Sequence, residues 1–130
     1  MAYKLFLDDI RKPQDVTWVS LPPGPWVIVR NFLDFKIIIG TRGLPDHITF
    51  DHDLADEHYD ADLWKKTGIA DYSKLQNPTG YDCAVWLIEH CRTFDLAFPA
   101  YTVHSMNPVG RERIKAAIEH YKSYRQSTIK

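Results

Sequence analysis

Short apolar runs alternate with amphipathic stretches along the chain. Residues 3–8 (YKLFLD), 26–30 (WVIVR), 47–51 (HITFD) and 100–104 (AYTVH) each read as a buried strand, the second preceded by the turn-rich LPPGP. Asn31, with Asp34 three residues on, marks a helix start; the helix is expected to reach about Ile39 and stop at Gly40. Thr79 and Asp82 make a capping box ahead of Cys83, Leu87, Cys91 and Phe94 at roughly helical spacing. Asn107 caps a last helix with Pro108 at its first position and apolar Ile114, Ala117, Ile118 and Tyr121. Residues 54–78 are too long for a passive connection. They are expected to form a loop insertion, a candidate lid, with a short helix around Asp60–Lys66.

Strands alternating with helices predict an α/β fold with a small parallel sheet and crossover helices. Right-handed crossovers put the first and third strands side by side, in the order 2-1-3-4. The crevice beyond the carboxyl ends of those two strands is then the topological switch point, where open α/β sheets bind ligands. At 130 residues the chain is expected to be one domain with a sizeable core. The formal net charge of −1 gives no bulk attraction to nucleic acid, so an anionic ligand needs a local basic cluster. No apolar run approaches membrane-spanning length, and the acidic start MAYKLFLDD does not suit a signal peptide; a cytoplasmic setting is expected. Cys83 and Cys91 lie eight apart on one helix, about 12 Å along its axis, too far for a disulfide. Both are expected to be reduced core residues.

The chemistry gathers where apolar runs stop on acid: LFLDD at 5–9 and TFDHDL at 49–54. Asp8, Asp9, Asp51 and Asp53 would converge on the crevice, and carboxylates that close repel unless a cation or shared protons neutralise them. Oxygen ligands suit Mg²⁺ or Mn²⁺, and nearby imidazole also admits Fe²⁺ or Zn²⁺; single aspartates there could equally be turn or cap residues. Asp8, Asp9 and Asp51 are the expected metal ligands. His52 and His104, at adjacent strand ends, are the candidate base and acid, with Asp53 orienting a histidine or completing the metal shell. His47, His58, His90 and His120 have no such context and are expected to be surface or packing residues.

Both later helices start on the crevice side, where free N–H groups and the positive dipole end attract anions. Thr79–Gly80 and Asn107–Arg111, including Gly110, are therefore candidate phosphate contacts, with Ser105 beside them. Arg111 opposes the helix dipole in a first turn, which suits an anion there, or else is a solvated surface arginine. Arg11, just past the acidic pair, is either a second cationic arm or a structural partner for an aspartate.

With these residues in place, the chain resembles a divergent receiver domain, the flavodoxin-like module of two-component signalling. LFLDD resembles its acidic pair, Asp51 its phosphoacceptor and Ser105 its fourth-strand Ser/Thr, while the fifth strand and its lysine are expected to be missing. The chain is more similar to the cyclic-phosphate-processing receiver-like family. LFLDDIRKP, TFDHDL, TGYDCAVWLIEHC and YTVHSMNPVGRERI match its motifs in order over roughly residues 5–114. That resemblance implies a metal-assisted enzyme acting on cyclic phosphates, such as RNA 2′,3′-cyclic ends, in RNA repair or phage–host conflict. The expected partner is an RNA end or small nucleotide carrying a cyclic phosphate, with no membrane and no protein partner identified. The other classes open to the same residues are a non-catalytic nucleotide- or phosphate-binding module and a phosphoacceptor at Asp51.

Overall fold

The computed structural model describes residues 3–51 and 79–128. The expected insertion at 54–78, its helix around Asp60–Lys66, and His52, Asp53 and His58 lie outside the described residues. Four parallel strands, β1 (Lys4–Leu7), β2 (Trp26–Val29), β3 (His47–Phe50) and β4 (Ala100–Val103), form one sheet in the order β2-β1-β3-β4. Among the described residues three α-helices accompany it: α1 (Phe32–Arg42), α2 (Gly80–Thr93) and α3 (Pro108–Thr128). This is the small α/β arrangement, with strand order 2-1-3-4, that the alternating pattern predicts.

The helix starts follow from their caps. Asn31 Oδ1 accepts the Asp34 amide at 2.8 Å, and Thr79 exchanges hydrogen bonds with Asp82 in a full capping box. Asn107 Oδ1 accepts the Gly110 amide at 3.0 Å in front of α3. The end of α1 differs from expectation: the helix passes through Gly40 and ends at Arg42. Gly43 takes the positive φ of 82° that closes the helix, its amide donating to the Ile39 carbonyl.

Strand alternation divides the sheet into two unlike faces. Leu5, Leu7, Val29, Ile48, Phe50 and Val103 face the helices and join Phe35, Ile39, Leu87, Ile114 and Ile118 in one hydrophobic core. Right-handed crossovers explain why α1 and α2 share that side: β2→β3 and β3→β4 step in one direction across the sheet. The β1→β2 step runs the other way, so residues 8–25 belong to the opposite face. This connection carries one 3₁₀ turn at Pro13–Asp15. It reaches as far as β4, where Trp18 Nε1 donates to the His104 carbonyl at 2.8 Å. Cys83 and Cys91 are buried free thiols, as expected, and burial pushes the Cys91 thiol up to about 11.

The register fixes what meets at the carboxyl edge. Leu7 pairs with Val29 and with Phe50, and Phe50 pairs with Val103. One residue further on, the ladder continues: the Asp8 amide donates to Val29, Asp51 to Leu7 and His104 to Phe50, at 3.0–3.2 Å. Arg30, Asp8, Asp51 and His104 therefore form one row across β2, β1, β3 and β4, all on the face away from the helices.

The core predicts a sharp contrast in stability. Leu87→Ala, at a position with no exposure, is expected to cost about 2–5 kcal/mol in urea unfolding. Leu33→Ala on α1, at a 62% exposed position, should stay within about 0.5 kcal/mol. Similar losses at both sites would contradict this division of the helix surfaces.

Candidate functional site

Three members of the row at the carboxyl edge are closed off from water. Asp8 and His104 have no exposure and Asp51 retains 4%. Burying such groups is costly unless each finds partners, and the fold supplies them around Asp8. Asp8 Oδ1 accepts the amides of Ile10 and Arg11 at 3.0 and 2.9 Å, which turns the chain directly after β1. Its Oδ2 lies 3.0 Å from His104 Nε2. A carboxylate only accepts, so Nε2 carries a proton toward Asp8. Burial alone would raise the Asp8 pKa. The hydrogen bonds from His104, Arg11 and Ile10 outweigh it and hold the carboxyl well below the usual range.

His104 is fixed from a second side. Its Nδ1 lies 2.8 Å from Thr49 Oγ1, and its ring stacks on Phe6 with centroids 4.7 Å apart. Phe6 and Thr49 are paired neighbours one row below, on the same face. With Nε2 proton-bearing, Nδ1 accepts the Thr49 hydroxyl proton in the neutral ring or donates to Thr49 in the imidazolium. Trp18 closes over the backbone of the same residue.

Two arginines complete the edge. Arg30 Nη1 donates to the carbonyls of Asp8 and Arg11 at 3.0 and 2.7 Å, holding the turn after β1. Arg11 Nη1 lies 3.5 Å from Asp8 Oδ2 and 3.8 Å from Asp51 Oδ2, so its guanidinium faces both carboxylates. The guanidinium also lies 5.2 Å above the Trp18 ring, with Nη2 3.5 Å from Met106 Sδ.

Of the residues singled out from the sequence, Asp8, Asp51 and His104 come together: one ligand atom from each lies within 4.8 Å of the others. Asp9 is half-buried beside them and is not in that group. Two carboxylate oxygens and an imidazole nitrogen suit a divalent cation, although the nitrogen is engaged with Asp8. The candidate phosphate contacts lie around the edge with partners of their own. Thr79 and Asp82 cap α2, where Gly80 is buried. Buried Ser105 accepts the Asn107 amide at 3.1 Å, and Asn107 takes the Gly110 amide. Arg111 reaches the Ser105 carbonyl at 3.5 Å and, with Lys115, lines a groove along β4 next to Val19. Among the other histidines, half-buried His47 contacts Thr102 Oγ1 at 2.6 Å, and His90 stacks on Trp86.

Sequence reading missed Thr49, Arg30 and Trp18. Thr49 had a signal: it alternates with Asp51 on the strand face that carries the acid. Arg30 had a weaker one, at the strand end opposite Asp8. Trp18 had none, because its contact spans 86 positions of chain.

Asp8 gives the acid limb of stability a definite sign. Held ionised in the fold, it stabilises above the ordinary carboxylate pKa of about 3.9, and the contribution is lost as pH falls toward its lower folded value. The drop in urea midpoint between about pH 7 and about pH 3 is therefore expected to be smaller in Asp8→Asn than in wild type. An equal drop in both proteins would show that Asp8 does not contribute.

Among the described residues no helix is long and apolar enough to cross a membrane. No curated protein and no solved structure matches the chain. A family model described as the cyclic-phosphate processing receiver domain matches residues 3–120, which covers the whole described sheet and most of α3. The chain belongs to the family of cyclic-phosphate processing receiver domains.

Proposed function

We propose that the protein is a metal-assisted phosphoesterase that opens cyclic phosphates, either RNA 2′,3′-cyclic ends or free cyclic nucleotides. The observation that carries this reading is the buried row of Asp8, Asp51 and His104 at the switch point of the sheet. Asp8 and Asp51 would hold Mg²⁺ or Mn²⁺, which suits two hard oxygen donors. When bound, the cation would supply charge neutralisation at the phosphate and activation of water.

The chain's own residues have separate tasks. His104 is a positioning residue: with both ring nitrogens engaged, it fixes the orientation of Asp8 and strengthens its hold on a cation. Thr49 and Phe6 fix the ring in turn. Arg30 locks the turn that carries Arg11, and among the described residues Arg11 is the arginine that faces both carboxylates, where an anionic group would meet it. In the reaction, water attacks phosphorus, one ring P–O bond breaks, and the released ribose oxygen takes a proton, leaving a phosphomonoester. In RNA repair or phage–host conflict, such a step converts a cyclic terminus into an ordinary phosphate end.

The test is ³¹P NMR of a short RNA with a 2′,3′-cyclic phosphate, and of free cyclic nucleotides, in Mn²⁺ or in EDTA. Ring opening is expected with Mn²⁺ and not with EDTA, and Asp51→Asn should lower it by about 100-fold or more. His104→Gln should lower the rate and weaken Mn²⁺ binding together, by about 10- to 100-fold in affinity, because it acts through Asp8. Binding without ring opening on every substrate would replace this reading with a non-catalytic binding module.

A further inference from the structure

Two carboxylates buried this close need positive charge between them before any ligand arrives. Among the described residues Arg11 faces both acids, and it does so loosely. Its Nη1 stands 3.5 and 3.8 Å from the two carboxylate oxygens, whereas Arg125 and Asp95 on the surface meet at 2.8 Å. Charge-assisted hydrogen bonds close to about 2.7–2.9 Å, so Arg11 makes one long hydrogen bond to Asp8 and only an ion-pair contact with Asp51. Its backbone, in contrast, is held on both sides. The Arg11 amide donates to Asp8 Oδ1 at 2.9 Å, and its carbonyl accepts from Arg30 at 2.7 Å. The side chain is thus a long arm on a fixed pivot, 28% exposed, and it rests on a second surface at the same time. That surface is the face of Trp18, whose ring is pinned through Nε1, together with the sulfur of exposed Met106.

We infer that Arg11 is a resident counter-ion of the Asp8–Asp51 pair and exchanges with the divalent cation, swinging off the carboxylates while it keeps its contacts with Trp18 and Met106, to receive the phosphate. This rests on the metal-assisted reading above and adds a coupling to it. A cation entering between the carboxylates repels the guanidinium at close range, in a site where water screens little. The freed guanidinium then offers its donors to an anion, for which its planar fork is suited. Without the cation, the carboxylates retain Arg11 and weaken phosphate binding. Cation and phosphate therefore bind cooperatively, and by reciprocity each tightens the other by the same factor.

The experiment is Mn²⁺ titration by calorimetry on the full chain, as wild type, Arg11→Met and Arg11→Lys. Each is measured with and without adenosine 3′-monophosphate, a phosphomonoester that the proposed reaction leaves intact. Circular dichroism checks the fold of each variant. Arg11→Met is expected to bind Mn²⁺ at least about tenfold more tightly than wild type, because the competing charge is gone. Arg11→Lys, which keeps the charge, should stay within about threefold of wild type. The nucleotide should tighten Mn²⁺ binding about fivefold or more in wild type and not in Arg11→Met. If wild type binds Mn²⁺ and Arg11→Met binds it equally or less well, the exchange is overturned while the metal site stands. Tighter metal binding in Arg11→Met without nucleotide coupling in wild type would overturn the phosphate half. If neither protein binds Mn²⁺, the metal-assisted reading itself fails.

Discussion

A carboxylate at the end of a central strand, closed off from water, must find all its hydrogen bonds within the protein. Asp8 is that group here, and its needs organise the carboxyl edge of the sheet. Its Oδ1 turns the chain after β1 by taking two amides, and its Oδ2 draws in His104 from β4. His104 in turn needs a partner for Nδ1 and a floor for its ring, which Thr49 and Phe6 provide from one row below. Arg30 holds the carbonyls of the same turn, and Trp18 closes on the carbonyl of His104. Removing the Asp8 charge would therefore disturb elements from all four strands, not one side chain.

The sheet can hold such a network because its faces have different duties. One face is apolar and covered by three helices that share a single core, which fixes strand order and register. The other carries Phe6, Thr49 and His104 under the 8–25 connection, and there the polar row forms. Register is the link between the two. A slip of one residue would send the carboxylates to the helix side and an apolar residue into the row. The chain belongs to the cyclic-phosphate processing receiver domains, and this acid-lined edge lies within the matched residues. The proposed chemistry builds on the same geometry, with cation and guanidinium as alternative answers to one pair of buried negative charges.

Much of this was legible in the sequence, and the limits are physical. Strand order followed from alternation and crossover handedness, and the Asn31, Thr79 and Asn107 caps from their side chains. The convergence of Asp8 and Asp51 followed from their places at the ends of β1 and β3. The row itself was not legible, because register depends on packing across strands that a linear pattern does not encode. Thus Arg30 looked like an ordinary strand end, although it sits opposite Asp8 in the register. Gly40 looked like a helix stop because glycine favours C-caps. The positive φ that ends α1 falls three residues later, at Gly43. Arg111 was read from the helix dipole alone, whereas its side chain follows the local surface to Ser105 and the groove beside β4. Trp18 depends on a connection crossing the sheet before returning, a path no short-range signal reveals.

The central claim is that Asp8 and Asp51 form a cation site that Arg11 guards, with His104 as its support. Crystals of the protein soaked in Mn²⁺ and measured at the manganese absorption edge test it directly. The account predicts an anomalous peak at about 2.0–2.3 Å from both carboxylates, a spacing ordinary for such cations, with the Arg11 guanidinium displaced from both acids. No peak between Asp8 and Asp51, with Arg11 still facing both acids, would contradict it.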